Sequence, residues 1–205
     1  MLPAMTEPVR PSSRAPWLLA RLAQAAIAVA AAVEVYRATT QRARLLHPES
    51  TSASDFGFAS MVSVYAMTLA AVLFLVWFSR SRRAARAISP EARLATGTWA
   101  VVAWLIPVVN LWVPRRLLLE TQRASRPLAP EEQGRGDLLV NAWAVAWAGR
   151  VVIAVLGRSG TSLPLLVATQ ALNIAAAVLI VCVIQRLTSA QFAALDAMRP
   201  ALQGT

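Results

Sequence analysis

Lysine is absent from this sequence, and histidine and cysteine occur once each, as His47 and Cys182. One cysteine excludes a disulfide within the chain, and one histidine with one distant cysteine excludes a transition-metal site of the usual ligand sets. Cys182 lies inside an apolar run and reads as a small buried hydrophobe. Acidic residues are scarce as well. Of the ten, Glu34 alone falls within an apolar run, so no carboxylate pair is set up for general acid–base work or a proton relay. Glycine-rich phosphate loops are missing too. Gly157-Arg158-Ser159-Gly160 has the G-x-S-G spacing of an intramembrane serine nucleophile, but its base would have to be His47, which lies in a polar loop. These absences point away from an enzyme and from any cofactor or metal.

What is present is apolar. Hydrophobic residues make up 57% of the 205 and charged residues only 15%, too few to solubilise a globule of this size. The formal charge of +10 is carried by arginines gathered at the ends of apolar runs, which suits helices oriented in a bilayer and argues against nucleic acid as a partner.

The runs cover 17–36, 57–78, 98–113, 138–156 and 163–185. They form a multi-pass membrane domain over 17–186, preceded by a Pro/Ser-rich tail (1–16) and followed by a short amphipathic tail (187–205). In that last tail Thr188 reads as an N-cap, with Phe192, Leu195 and Met198 at helical spacing behind it. The first run is alanine-rich, of spanning length, and bears Trp17 and Tyr36 at its ends, which favours an anchor. Ala28-Val29-Ala30 within it also suits signal-peptide cleavage. The fourth and fifth runs, joined by a few residues, should form an antiparallel hairpin.

The third run is only sixteen residues, about 24 Å as a helix against a hydrocarbon core of about 30 Å, and is broken by Pro107 and closed by Pro114. Charge decides how to count it. Five crossings would place eight arginines on one face and ten on the other. If the third run enters and leaves by one face, that face collects fourteen against four, a strong positive-inside bias. The expected fold is therefore an all-α helical bundle of four transmembrane helices plus a Pro-broken re-entrant or interfacial segment, with both termini cytoplasmic in the cell membrane. Five spans is the alternative.

Asn110, Glu34, Arg150 and Asn173 are the polar residues in the runs best suited to a membrane site. With four crossings, Glu34 and Arg150 approach the same face and could pair or snorkel separately. Ser60, Ser63, Thr68, Asn141 and Gln170 read as hydrogen-bonding groups between helices. Arg80, Arg82, Arg83 and Arg86 form a cluster able to grip anionic lipid headgroups.

Trp77-Phe78-Ser79-Arg80, then Trp99, Trp104, Pro107, Asn110, Trp112 and Pro114 in a Trp-x4-Trp-x2-Pro-x2-Asn-Leu-Trp-x-Pro pattern, then Arg123-Ala124-Ser125, carry a resemblance. The stretch resembles a largely actinobacterial multi-span membrane family, domain of unknown function 4328. Weaker similarity runs through Trp143, Trp147, Thr188 and Gln191, while Ala84, Arg115 and Gln122 depart from its usual residues. The resemblance implies an integral membrane fold and no particular activity. Physically, the motif reads as a kinked element in which tryptophans anchor or pack and Asn110 bonds carbonyls freed by proline. Structural helix breaking is the first reading, and a substrate or ion site on irregular backbone the second. The function expected is a non-enzymatic structural or regulatory role in assembly with other membrane proteins. A small transporter or channel built round the third run is the alternative.

Overall fold

The computed structural model describes residues 16–47, 53–106, 109–125, 130–157 and 162–203. Pro107 and Val108 lie outside these residues, as do Arg158–Thr161 of the G-x-S-G stretch and residues 1–15 of the amino-terminal tail. The described chain is helical: α1 Trp17–Leu46, α2 Ala53–Ile88, α3 Gly97–Val102, a 3-10 turn Val109–Leu111, α4 Val113–Ala124, α5 Pro130–Leu156 and α6 Leu163–Gln203.

Among the described residues four helices, α1, α2, α5 and α6, are long and apolar enough to cross a membrane. With no water in the bilayer core, a spanning segment must satisfy its own backbone groups, which a continuous helix does. Helix α1 packs on α2 and α6, and α5 packs on α6 as the expected hairpin.

The helices outlast the apolar runs. Helix α2 has 36 residues and α6 has 41, about 54 and 61 Å at 1.5 Å per residue, against a core of about 30 Å. Hydropathy marks where lipid ends, whereas Arg, Ala and Gln beyond that point are good helix formers and let the coil continue. The carboxy-terminal tail is thus no separate element. Thr188 sits inside α6, fully buried, and caps nothing.

The third run makes an excursion along α2. It starts beside Arg82, whose guanidinium donates to Ala95 O at 2.8 Å. It descends to Trp104, edge-on to Phe74 with ring centroids 4.7 Å apart. It then returns, as α4, to Arg82, which also donates to Thr121 Oγ1 at 3.1 Å. Arg82 and Phe74 are eight residues apart on α2, so the loop reaches about 12 Å along the helix and comes back to its starting level.

Proline directs the return. Pro114 occupies the first turn of α4, where its missing donor costs nothing. Helix α4 was not apparent in the sequence as a helix. It is strongly two-faced, with Leu117, Leu118, Thr121 and Ala124 buried and Arg115, Arg116 and Arg123 exposed. The ends of α2 and α6, the start of α5 and the whole of α4 together make a helical head at the arginine-rich end.

Candidate functional site

Two constellations of polar and aromatic side chains stand out, one in the head and one deeper in the bundle. The head is tied by fully buried hydrogen bonds. Gln191 Nε2 on α6 donates to Ser81 O and Ser81 Oγ on α2 and to Ser125 Oγ after α4, each at 2.9 Å. Trp77 Nε1 donates to Thr188 Oγ1 at 3.1 Å. Ser125 Oγ and Thr121 Oγ1 donate to backbone oxygens of Thr121 and Leu117, each at 2.7 Å. On the outer side of α4, Arg116 pairs with Glu120 and Arg123 with Asp137, while Arg115 donates to Asn141 Oδ1 at 2.7 Å. The register explains the convergence. Trp77 and Ser81 are one turn apart on α2, and Thr188 and Gln191 one turn apart on α6, so each pair shares a face.

This geometry divides the arginine cluster. Arg82 is 3% exposed and points inward, donating to Leu117 O and Ala95 O as well as Thr121, so it is not available to a lipid headgroup. Arg86 also donates to Ala95 O, at 2.9 Å, while remaining exposed. Arg80 and Arg83 are exposed.

Deeper in the bundle, a cavity of about 210 Å³ lies between α1, α2, the re-entrant segment, α5 and α6. Aromatic rings form one side. Trp104 packs against Phe74, Phe78 and Trp143, and Trp143 stacks on Trp147 with centroids 6.5 Å apart. Alanines of α1, α2 and α6 form much of the rest, and their small side chains leave the space open. Asn110 and Asn173, distant in sequence, both line it.

The other two polar candidates do not join them. The Glu34 carboxylate accepts from Arg37 at 2.9 Å and from the Ser63 hydroxyl. Arg150 makes no ion pair with it among the described residues and instead lies 4.6 Å from the centre of the Trp147 ring. The two charges act on each other only at longer range. Of the two alternatives, pairing and separate placement, the geometry has the second, with Arg37, one turn along α1, on the Glu34 carboxylate.

Other expectations fare unevenly. Among the described residues the Asn110 Nδ2 donates to no freed carbonyl and its Oδ1 accepts no bond, and the turn is held by the Asn110 backbone N–H, which donates to Ile106 O at 2.8 Å. Cys182 is exposed on the bundle surface rather than buried. Ser63 and Asn141 do bond across helices, whereas Thr68 bonds its own helix at Val64 O. Of the motif tryptophans, Trp77 is buried, Trp104 half-buried on the cavity, and Trp99 and Trp112 exposed. Sequence reading passed over Gln24, which is buried and donates to Val181 O and Gln185 Oε1, each at 3.2 Å. It also passed over Ser81 and Thr121. Their signal was polarity at one-turn spacing on the face that carries the apolar contacts.

Four spanning-length helices packed round a re-entrant segment define a helical integral membrane protein. The chain belongs to the family described as Domain of unknown function (DUF4328), whose model matches residues 42–189. That region takes in the arginine cluster, the re-entrant segment, the cavity residues from α2 onward and Thr188, and stops two residues short of Gln191. No curated protein and no solved structure matches the chain.

Proposed function

We propose that this is a non-enzymatic protein of the cell membrane, both termini cytoplasmic, with a structural or regulatory role in assembly with other membrane components. The observation that carries this reading is the head. Three helices project past their apolar runs; buried hydrogen bonds from Arg82 and Gln191 hold α4 and Ser125 at its end against α2 and α6, which Trp77 ties to each other. Where the head meets water, burying Leu117 and Leu118 adds about 1.5–3 kcal/mol apiece. The outer face of α4, fixed by Arg115 on Asn141 and by the pairs Arg116–Glu120 and Arg123–Asp137, is suited to docking a polar partner surface, while exposed Arg80 and Arg83 are placed to meet anionic lipid.

Photo-crosslinking in native membranes tests the reading, with the reporter at Arg116 on the head or at lipid-facing Val64. Assembly predicts a discrete protein adduct from position 116 that disappears when Gln191→Leu loosens α4, and none from position 64. Lipid adducts alone at both positions would count against it.

The cavity supports a second reading, a small transporter or channel, because Asn110 and Asn173 meet there. Vesicles loaded with candidate solutes, showing no flux that changes with Asn173→Leu, would remove it.

A further inference from the structure

The cavity has a chemistry that neither reading requires. Its walls are mostly alanine, aliphatic and aromatic side chains, and among the described residues no charged one lines it. Inside lies Asn173, 9% exposed, whose amide has no hydrogen-bond partner among the described residues. Three other lining side chains carry polar atoms that are also without partners there: Trp104 Nε1, Trp147 Nε1 and Asn110 Oδ1. An unpartnered buried polar group costs about 1–3 kcal/mol, a cost that Trp77 Nε1 and Gln24 Nε2 avoid through their bonds to Thr188, Val181 and Gln185. Trp104 Nε1, Trp147 Nε1 and Asn110 Oδ1 thus share one cavity with Asn173.

Size and polarity restrict what could occupy it. An apolar protein cavity of about 150 Å³ admits benzene. At about 210 Å³, this one has room for a ring with a small substituent. A charged ligand would enter without a counter-ion, at a cost of several kcal/mol. Water can meet the polar groups, but the alanine and ring surfaces that make up most of the wall favour an apolar body over water. The rim provides a way in. Leu105, on the cavity's edge, is 68% exposed at the level of the spanning helices, so a solute dissolved in the bilayer can reach the opening without crossing water.

We propose that this cavity is a binding site for an uncharged amphipathic small molecule: an aromatic or compact branched body with one hydroxyl or carbonyl group that hydrogen-bonds the Asn173 amide. The body packs against Trp104, Trp143 and the alanines of α6. The hydroxyl or carbonyl meets Asn173, and Asn110 is a second polar residue on the wall. This proposal is independent of the head, and the two can fail separately.

The test uses the full chain in lipid nanodiscs and two probes, 4-bromophenol and bromobenzene, both heavy-atom quenchers of tryptophan fluorescence. The wild type should show saturable quenching by both, with the phenol bound more tightly. Asn173→Leu should weaken 4-bromophenol about tenfold and change bromobenzene less than twofold. Retained bromobenzene binding also shows that the variant is folded. Ala176→Leu, which fills the cavity, should abolish the saturable phase for both probes. Quenching that rises linearly with either probe, and equally in Ala176→Leu, would mean partition into lipid only and would overturn the site. Equal weakening of both probes by Asn173→Leu would overturn the hydrogen-bonding role. A phospholipid retained through delipidation, released by Ala176→Leu and displaced by neither probe, would overturn the ligand class.

Discussion

The indole N–H of Trp77 donates to the hydroxyl of Thr188 at 3.1 Å, joining α2 to α6 across 111 residues of chain. Both residues are buried, Trp77 completely and Thr188 to 1% exposure, so the bond is shielded from water and lipid headgroups. In a bilayer, helices gain little from hydrophobic transfer and associate through packing and such bonds. A double-mutant cycle of Trp77→Phe and Thr188→Val should therefore give a coupling of about 0.6 kcal/mol, with about 1.7 as the upper end. Equilibrium unfolding in mixed detergent measures it, and additive effects would show that the bond contributes nothing.

Gln191 reaches two elements at once, and its loss should be felt at α4. Gln191→Leu leaves the Ser81 and Ser125 hydroxyls with one partner fewer and is expected to cost about 1–3 kcal/mol. Trypsin reads this directly, since α4 carries three exposed arginines. Cleavage at Arg115, Arg116 or Arg123 should accelerate in the variant while cleavage at Arg80, on α2, stays slow.

Arg82 and Arg86 differ in burial, and their substitutions should differ accordingly. Hydrogen bonds from a charged donor contribute about 1.5–3 kcal/mol when buried, so Arg82→Leu should destabilise by at least about 2 kcal/mol. Arg86→Gln removes one exposed bond and should cost under about 1 kcal/mol. If Arg82 instead served the lipid, its substitution would leave thermal stability intact and lower binding to anionic vesicles.

The ionic contacts of Glu34 can be ranked by coupling. Glu34 meets Arg37 at 2.9 Å and touches Arg150 only through longer-range charge. The cycle of Glu34→Gln with Arg37→Gln should show a larger interaction energy than Glu34→Gln with Arg150→Gln. The reverse order would mean that the carboxylate turns toward α5 in the bilayer.

Apolar run lengths and arginine placement were enough to read four membrane helices and an odd third run, because both follow from the cost of polar groups in lipid. Helix extent beyond the runs was not legible. Once outside the hydrocarbon, α6 is held at Thr188 and Gln191 by bonds to α2 and to Ser125 and continues beyond them on helix-forming Ala, Leu and Gln, and neither cause leaves a hydropathy trace. Helix α4 was missed for a related reason: twelve residues flanked by prolines and rich in arginine look like a loop unless the spacing of Leu117, Leu118, Thr121 and Ala124 is read as a buried face. Asn110 and Asn173 could be singled out as polar residues in apolar runs, but their meeting at one cavity depends on the depth of the re-entrant loop. Arg150 and Glu34 were equally conspicuous, yet Arg37 takes the carboxylate first.

The re-entrant course of the third run places the head, the cavity and the basic face, so its topology is the most direct point of test. In a Cys182→Ala background, single reporters Arg93→Cys, Arg135→Cys and Leu46→Cys sit at exposed positions before the excursion, after it, and at the far end of α1. Labelling intact, sealed vesicles with a membrane-impermeant maleimide should modify Arg93→Cys and Arg135→Cys from one side and Leu46→Cys from the other. Modification of Arg93→Cys and Arg135→Cys from opposite sides would make the third run a fifth crossing and contradict the account.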